Sequence, residues 1–367
     1  MSSNEADARA HDEIAERRLE NQRITGVASR RPADVVSWLG AVQAQEYDAA
    51  KWALGLRMQD STADADIERA FNDGRILRTH VMRPTWHFVT PSDIRWLQEL
   101  TAPRVQRAMS SYNRRLELDS RTLTRGTIVI ERALRNERYL TRTELRERLH
   151  RARLRMAGQR LAHLVVHAEL ERVICSGPRR GKQFTYALLA ERAPSARSLS
   201  RDEALATLAQ RFFRSHGPAT IRDFVWWSGL TTADAKRALD MIGARREDVG
   251  GRSYWTYGSA PRGARRDRLA HLLPIYDEYL VAYRDRAAVP HGPMTLASRA
   301  RDAVTFQHAL VVHGQVAGTW RTRRHAGRVL IDLLPLRRLR RLERDALDEA
   351  VLRYEQFLSA GVTRASL

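Results

Sequence analysis

The strongest constraint in this chain is a recurrence. Three times between residues 32 and 257, helical spacing gives way to short apolar runs around a turn. In the first round, Val35, Trp38, Leu39 and Val42 fall at i, i+3, i+4 and i+7, which predicts an amphipathic helix over about residues 32–44. A second helix over residues 64–73 stops at Gly74. Ile76–Met82 and Thr85–Val89 then flank Arg83-Pro84 as a hairpin. The second round starts near Leu123. Thr141-Arg142-Thr143-Glu144 is a capping box, a longer helix runs from Gly158 to Glu171, and two strands flank Ser176–Lys182. The third round has a helix from Ser200 to about Ser215, a break at His216-Gly217-Pro218, and a helix through Trp226-Trp227. Ser228-Gly229-Leu230-Thr231 then turns into another helix, and Tyr254–Tyr257 follows as a strand. Helix, short glycine-bearing turn, helix is a helix-turn-helix signature, and helix-helix-hairpin is the outline of a winged helix.

Beyond residue 260 the pattern changes. Ala303–Trp320 alternates apolar and polar residues around His313-Gly314-Gln315, Val329–Leu334 reads as a further strand, and Glu343–Leu358 as an amphipathic helix. This is a small sheet or barrel. The expected class is therefore α+β, mainly α, with winged-helix units over 1–118, 119–196 and 197–262 and a β-barrel with a closing helix over 263–367. The rounds repeat in architecture and not in fixed period, so a solenoid is excluded.

Charge narrows the partners. Lys plus Arg is 63 against 43 Asp plus Glu, a net of +20, and the only lysines are Lys51, Lys182 and Lys236. Guanidinium presents a planar fork of donors suited to phosphate and to guanine, and a surface this positive attracts polyanions. A GC-rich genome explains arginine over lysine, but not the excess of cations over anions. The hydrophobic share of 43% provides for sizeable cores. The one cysteine, Cys175, sits in an apolar stretch and is expected as a buried, inert thiol. The N-terminus is polar, and no run of about 18 apolar residues occurs, so a cytoplasmic, nucleoid-associated protein without a membrane partner is expected.

Four stretches carry a resemblance: Val42-Gln43-Ala44-Gln45-Glu46-Tyr47-Asp48, Arg83-Pro84-Thr85-Trp86-His87, Leu272-Leu273-Pro274-Ile275-Tyr276-Asp277-Glu278-Tyr279 and Gly318-Thr319-Trp320-Arg321. In this order they resemble the AlkZ/YcaQ family of DNA glycosylases over nearly the whole chain. Gln43-Ala44-Gln45 is similar to the Gln-x-Gln active-site motif of the AlkZ branch. The resemblance implies three winged-helix units plus a β-barrel, curved into a C shape around DNA. It also implies removal of bulky alkylated bases, typically N7-substituted purines. Crosslink unhooking and self-resistance to a genotoxic natural product fall within that range. Gln43 and Gln45 are then the catalytic residues, and the Thr85-x-His87 unit lies near the active site.

On a continuing helix Gln43 lies about 40° from Leu39, leaves the apolar stripe and is partly buried, while Gln45 lies about 200° from Gln43. Both serve one pocket only if the helix ends near Ala44. From the spacing alone, a pair of structural glutamines capping loops is the alternative. An N7-alkylated guanine is already a cationic leaving group and needs no protonation, and the transition state is oxocarbenium-like. What remains is to position a water and aim oxygen dipoles at developing positive charge, which a glutamine amide does although it is a poor base. Lys51 is the only lysine beside the motif, so monofunctional hydrolysis is expected over Schiff-base lyase chemistry.

The other candidates divide. His87 shares a strand face with Thr85 and either contacts DNA or orders the hairpin. Asp277 and Glu278 are read as structural, orienting polar groups or arginines. Arg83, Thr85 and His87, with Arg179, Arg180 and Lys182 of the basic turn, are the expected substrate and DNA contacts. His163 and His167 at i, i+4 have no third ligand nearby, so no metal is expected, nor any cofactor. Trp226 and Trp227 are expected to fill a helix-turn-helix core. The leading function is a monomeric DNA glycosylase acting on double-stranded DNA with alkylated bases. The alternative is a non-enzymatic winged-helix transcriptional regulator, normally a dimer reading two half-sites. A protein that sequesters a DNA-reactive drug would not need this charge.

Overall fold

A computed structural model describes residues 3–258, 269–289, 307–325 and 328–358. It is a mixed α/β protein, roughly half helical, and it divides into two compact units. The first comprises residues 1–68, 206–227 and 231–367; the second comprises 69–205 and 228–230. The expected run 303–306 lies outside the described residues.

In the first unit, α1 spans Ser3–Asn21, α2 Pro32–Leu39, β1 Val42–Gln43 and α3 Tyr47–Gly55. Helix α2 begins with Pro32 at its first turn, where the missing N–H costs nothing, and is capped by Gly40 at φ 86°. It therefore stops at Leu39, earlier than the apolar spacing predicts. Once Gly40 turns the backbone into the positive-φ region, the helical repeat cannot continue through Val42. Helix α4, Asp64–Asn72, ends two residues before Gly74 as expected.

The second unit continues with β2 Leu77–Val81 and β3 Arg83–Val89, an antiparallel hairpin with Thr79 opposite His87 and a turn at Met82, φ 62°. Then come α5 Ile94–Arg115, α6 Ser120–Asn136, β4 Leu140–Thr141, α7 Arg142–Arg151, α8 Gly158–Leu170, β5 Ile174–Ser176, β6 Thr185–Leu188 and α9 Leu189–Arg192. The Thr141/Glu144 capping box opens α7 reciprocally, as its sequence requires. Its core gathers Leu123, Ile130 and Leu134 of α6, Leu145 and Leu149 of α7, and Leu161, Leu164 and Val165 of α8, under a sheet in the order β4-β6-β5. Cys175 lies in that sheet, fully buried, and burial pushes its thiol pKa up.

Helix α10 spans Arg201–Ser215, α11 Ile221–Ser228 and α12 Thr232–Ile242, with a second capping box at Thr231/Asp234 and Gly243 in the left-handed conformation at its end. The hairpin β7 Arg245–Val249 and β8 Arg252–Thr256 follows. Trp227 fills the core as expected, against the stacked rings of Phe212 and His216. Trp226 does not: about 100° around a short helix it stays 39% exposed, with Arg284 against its ring and its indole donating to the Val281 carbonyl.

The remaining elements are β9 Ala270–Leu273, α13 Glu278–Val281, β10 His308–Val312, β11 Gln315–His325, β12 Arg328–Pro335 and α14 Arg341–Leu358. His313 and Gly314, both at positive φ, make the tight β10–β11 turn. The four strands form an antiparallel sheet in the order β12-β11-β10-β9. Among the described residues it is an open sheet and not a closed barrel, with α14 packed against β9. Trp52, Trp320, Tyr354 and Phe357 interlock beneath it at ring-centroid distances near 5 Å. No described helix is long and apolar enough to cross a membrane.

Candidate active site

Gly40 sets the geometry of the glutamine pair. With α2 ended, Val42–Gln43 is extended backbone, Gln45 sits in the bend before α3, and the angles of a continuing helix do not apply. Gln43 is 6% exposed, whereas Gln45 is exposed. The Gln43 backbone N–H donates to Glu278 Oε1 at 2.8 Å, so a carboxylate 235 residues away fixes the glutamine's main chain.

Glu278 is fully buried, and its other oxygen accepts from Trp227 Nε1 at 2.9 Å and lies 3.5 Å from His216 Nε2. Burial holds His216 below the ordinary imidazole range in spite of Glu278, so near neutrality the ring is uncharged; its Nδ1 is 2.8 Å from Ser215 Oγ. Beside Glu278, Asp277 accepts two hydrogen bonds of 2.8 Å from Arg57. Arg57 also donates to the Ala53 carbonyl and to Gln22 Oε1, and Gln22 in turn donates to Tyr283. Asp277 and Glu278 thus orient an arginine and the backbone of Gln43.

Lys51 has a different setting. Its ammonium is 2.8 Å from Asp64 and 3.3 Å from both Asp48 and Glu68. Burial alone would lower its pKa. The Asp64 hydrogen bond, with the charges of Asp64, Asp48 and Glu68, outweighs that and raises it, so Lys51 is held protonated.

The other six predicted residues lie in the second unit. His87 is fully buried, and its Nδ1 is 2.9 Å from the Thr85 carbonyl, an arrangement that orders its own strand. Thr85 and Arg83 are half-buried. The basic turn is less open than its sequence implies. Arg180 pairs with Glu144 at 2.6 Å and donates to the Tyr139 carbonyl, while the Arg179 guanidinium lies 5.0 Å from the Phe184 ring and donates to the Lys182 carbonyl. Lys182 is exposed.

A stacked ladder missed by sequence reasoning ties the hairpin to this turn. Arg78 lies over Trp86 at 4.2 Å and over Phe184 at 4.6 Å, and Phe184 carries Arg179. Trp86 also meets His80, 4.0 Å between ring centroids, and His80 Nδ1 is 2.5 Å from buried Glu169. The alternation of β2 marks Arg78 and His80 as sharing a face, but nothing local pairs His80 with a glutamate 89 residues on. His163 is engaged by Asn113 at 2.7 Å.

The chain is thus strongly basic and presents one buried and one exposed glutamine two residues apart. The chain belongs to the AlkZ-like DNA glycosylase family, which matches residues 36–357. An interstrand DNA cross-link repair glycosylase of Streptomyces sahachiroi is 26% identical over 335 residues, 83% of this chain and 85% of that protein. The solved structure of Streptomyces sahachiroi DNA glycosylase AlkZ shares the fold, with a TM-score of 0.74 at 21% identity, over 96% of this chain and 99% of that one.

Proposed function

We propose that this DNA glycosylase hydrolyses the N-glycosidic bond of bulky N7-alkylated purines in duplex DNA, leaving an abasic strand. Gln43 and Gln45 position the attacking water and present amide oxygens to the oxocarbenium-like transition state. The observation that carries this reading is the asymmetry of the pair: Gln43 is buried on a backbone held by Glu278, and Gln45 is exposed two residues later. One amide is preorganised, and the other is accessible to a substrate arriving from solvent. A positioned amide suffices only where the base is already a cationic leaving group, so unmodified purines survive. The three helix-and-hairpin rounds are read as winged-helix units. Arg83, Thr85, Arg179, Arg180 and Lys182 are proposed as contacts of the second unit, with Arg180 and Lys182 the exposed ones, while His87, fully buried, orders the hairpin that carries Thr85. Interstrand crosslinks fall within the same chemical class.

The regulator alternative loses its support with family membership and the buried amide. The test is incubation with duplexes bearing 7-methylguanine or a bulky N7 adduct, followed by alkaline cleavage. Strand breaks at the adduct are expected, and intact strands with both substrates would refute the proposal.

A further inference from the structure

The first unit carries a second concentration of chemistry that neither the glutamine pair nor its supporting network uses. A shallow concavity, open to solvent, is lined by Arg23, Arg30, Arg31, Arg211 and Arg214 around Trp38. Asp34 is the single carboxylate in that lining. We propose that this concavity cradles backbone phosphates of duplex DNA, an inference that rests on the reading that the chain acts on DNA.

The guanidiniums are arranged before any ligand arrives. The Trp38 indole N–H donates to the Asn21 carbonyl at 2.7 Å, which fixes the ring. Arg23 lies 3.9 Å above that ring and also donates to Ser29 Oγ at 2.8 Å. Arg214 stands 5.7 Å from Trp38 and 5.5 Å from Tyr257, between two aromatic walls. Asp34 offsets one of the five positive charges, that of Arg31, which it holds through two hydrogen bonds of 3.0 and 2.8 Å, and the lining stays cationic. Side chains held this way lose little rotamer freedom on binding, which is what preorganisation contributes to affinity.

Two further features favour an anion. Burial lowers the pKa of Arg23, and Asp34 recovers only part of that loss; an incoming phosphate stabilises the same charge. Arg31 is also the N-cap of α2 and carries no side-chain capping bond, so the positive end of the helix adds to the field. The shape selects between anions. A small anion is best served by an enclosed pocket with converging donors. A wide, open trough with arginines spread along it matches successive phosphates and holds a duplex without reading its bases.

The test is Arg30→Gln/Arg211→Gln/Arg214→Gln, titrated with undamaged duplex DNA by fluorescence anisotropy between about 50 and 200 mM salt. Each lost phosphate contact removes about 0.9 from the slope of log affinity against log salt, so a fall of about 2 to 3 is expected. The comparison protein, Arg245→Gln/Arg338→Gln/Arg344→Gln, removes the same charge from exposed positions elsewhere. Circular dichroism melts of both variants establish that they are folded. An equal fall in both variants, or no fall in the first, overturns the proposal. Inorganic pyrophosphate is titrated in parallel by thermal shift. Stabilisation of the wild type but not of the first variant, with the DNA slope unchanged, assigns the trough to a free anion and also overturns it. The two readings fail separately. If the wild type excises adducts while the first variant keeps its slope, only the phosphate cradle falls. If the slope drops but no adduct is excised, only the glycosylase reading falls.

Discussion

Arg57 and Asp277 face each other through two hydrogen bonds of 2.8 Å, and neither side chain has any exposure to solvent. Removing one partner leaves the other charge desolvated and unpaired, which costs about 3–5 kcal/mol. Asp277→Asn or Arg57→Leu is therefore expected to lower unfolding stability by that order in urea titration. Arg57→Met/Asp277→Leu is expected to recover only part of it, because the apolar pair removes both buried charges but leaves Gln22 Oε1 and the Tyr279 N–H without the partners they have here. Single variants within about 1 kcal/mol of wild type would show that the pair is dispensable.

The glutamines are tested by Gln43→Ala, Gln45→Ala and the double variant. Neither residue is a cation, so DNA affinity is expected to change by less than about tenfold. Excision of a cationic N7-alkylguanine is expected to fall about 10- to 1000-fold for loss of a positioning and electrostatic group. The effects are expected to be non-additive if both hold one water. Gln45→Asp supplies a carboxylate at the exposed position and is expected to retain part of the activity. Folded Ala variants that excise at the wild-type rate would make the motif structural.

Lys51 supplies a chemical test. An amine held protonated by Asp64, Asp48 and Glu68 is a poor nucleophile toward an abasic aldehyde. Borohydride is expected to trap no protein–DNA adduct, and the product strand is expected to stay intact until alkali is added. A trapped adduct that disappears in Lys51→Arg would overturn monofunctional hydrolysis.

Buried imidazoles predict the acid limb of stability. Burial lowers the pKa of His216 and of His308, whose Nδ1 accepts from the Ile275 N–H at 3.1 Å. As pH falls through the unfolded value of about 6.5, the unfolded chain takes up protons that the folded protein refuses. Stability is therefore complete above that value and declines below it, by about 1.4 kcal/mol per pH unit for each such histidine until its folded pKa is reached. Urea unfolding from about pH 7.5 to 5.5 checks this, and a level or rising stability on acidification would contradict it.

Much of the fold was legible because it rests on local signals. The capping box at Thr141, the helix start after Thr231, the stop near Gly74 and the His313-Gly314 hairpin are each written within a few residues, whereas the first hairpin turns at Met82, at positive φ, and not at Arg83-Pro84, which lies in β3. The end of α2 was legible too, in Gly40, but the apolar stripe through Val42 masked it: a hydrophobic residue at i+7 satisfies helical periodicity even when the backbone has already turned into an extended segment. Trp226 and Trp227 are adjacent on a helix, about 100° apart, and which of the two reaches the core is set by what packs around α11 and not by the sequence. The support of the site was not legible. That Glu278 holds Gln43, or that Glu169 meets His80, depends on packing between segments 235 and 89 residues apart, and no spacing rule reaches that far. The openness of the β9–β12 sheet is equally a property of tertiary pairing and not of alternation along any strand.

The bond between the Gln43 N–H and Glu278 has a consequence for the order of assembly. At ribosomal rates of about 5–20 residues per second, the carboxylate emerges roughly 10–50 s after the glutamine it holds. Throughout that interval the nascent chain contains the glutamine pair without its anchor. The first unit draws on residues 1–68, 206–227 and 231–367, so its N-terminal third waits for the rest, while 69–205 provides most of the second unit as one continuous stretch. Placement of the glutamine pair is in this sense a late event of biosynthesis: a truncated chain that stops before residue 278 contains both glutamines and lacks the acid that gives one of them its place.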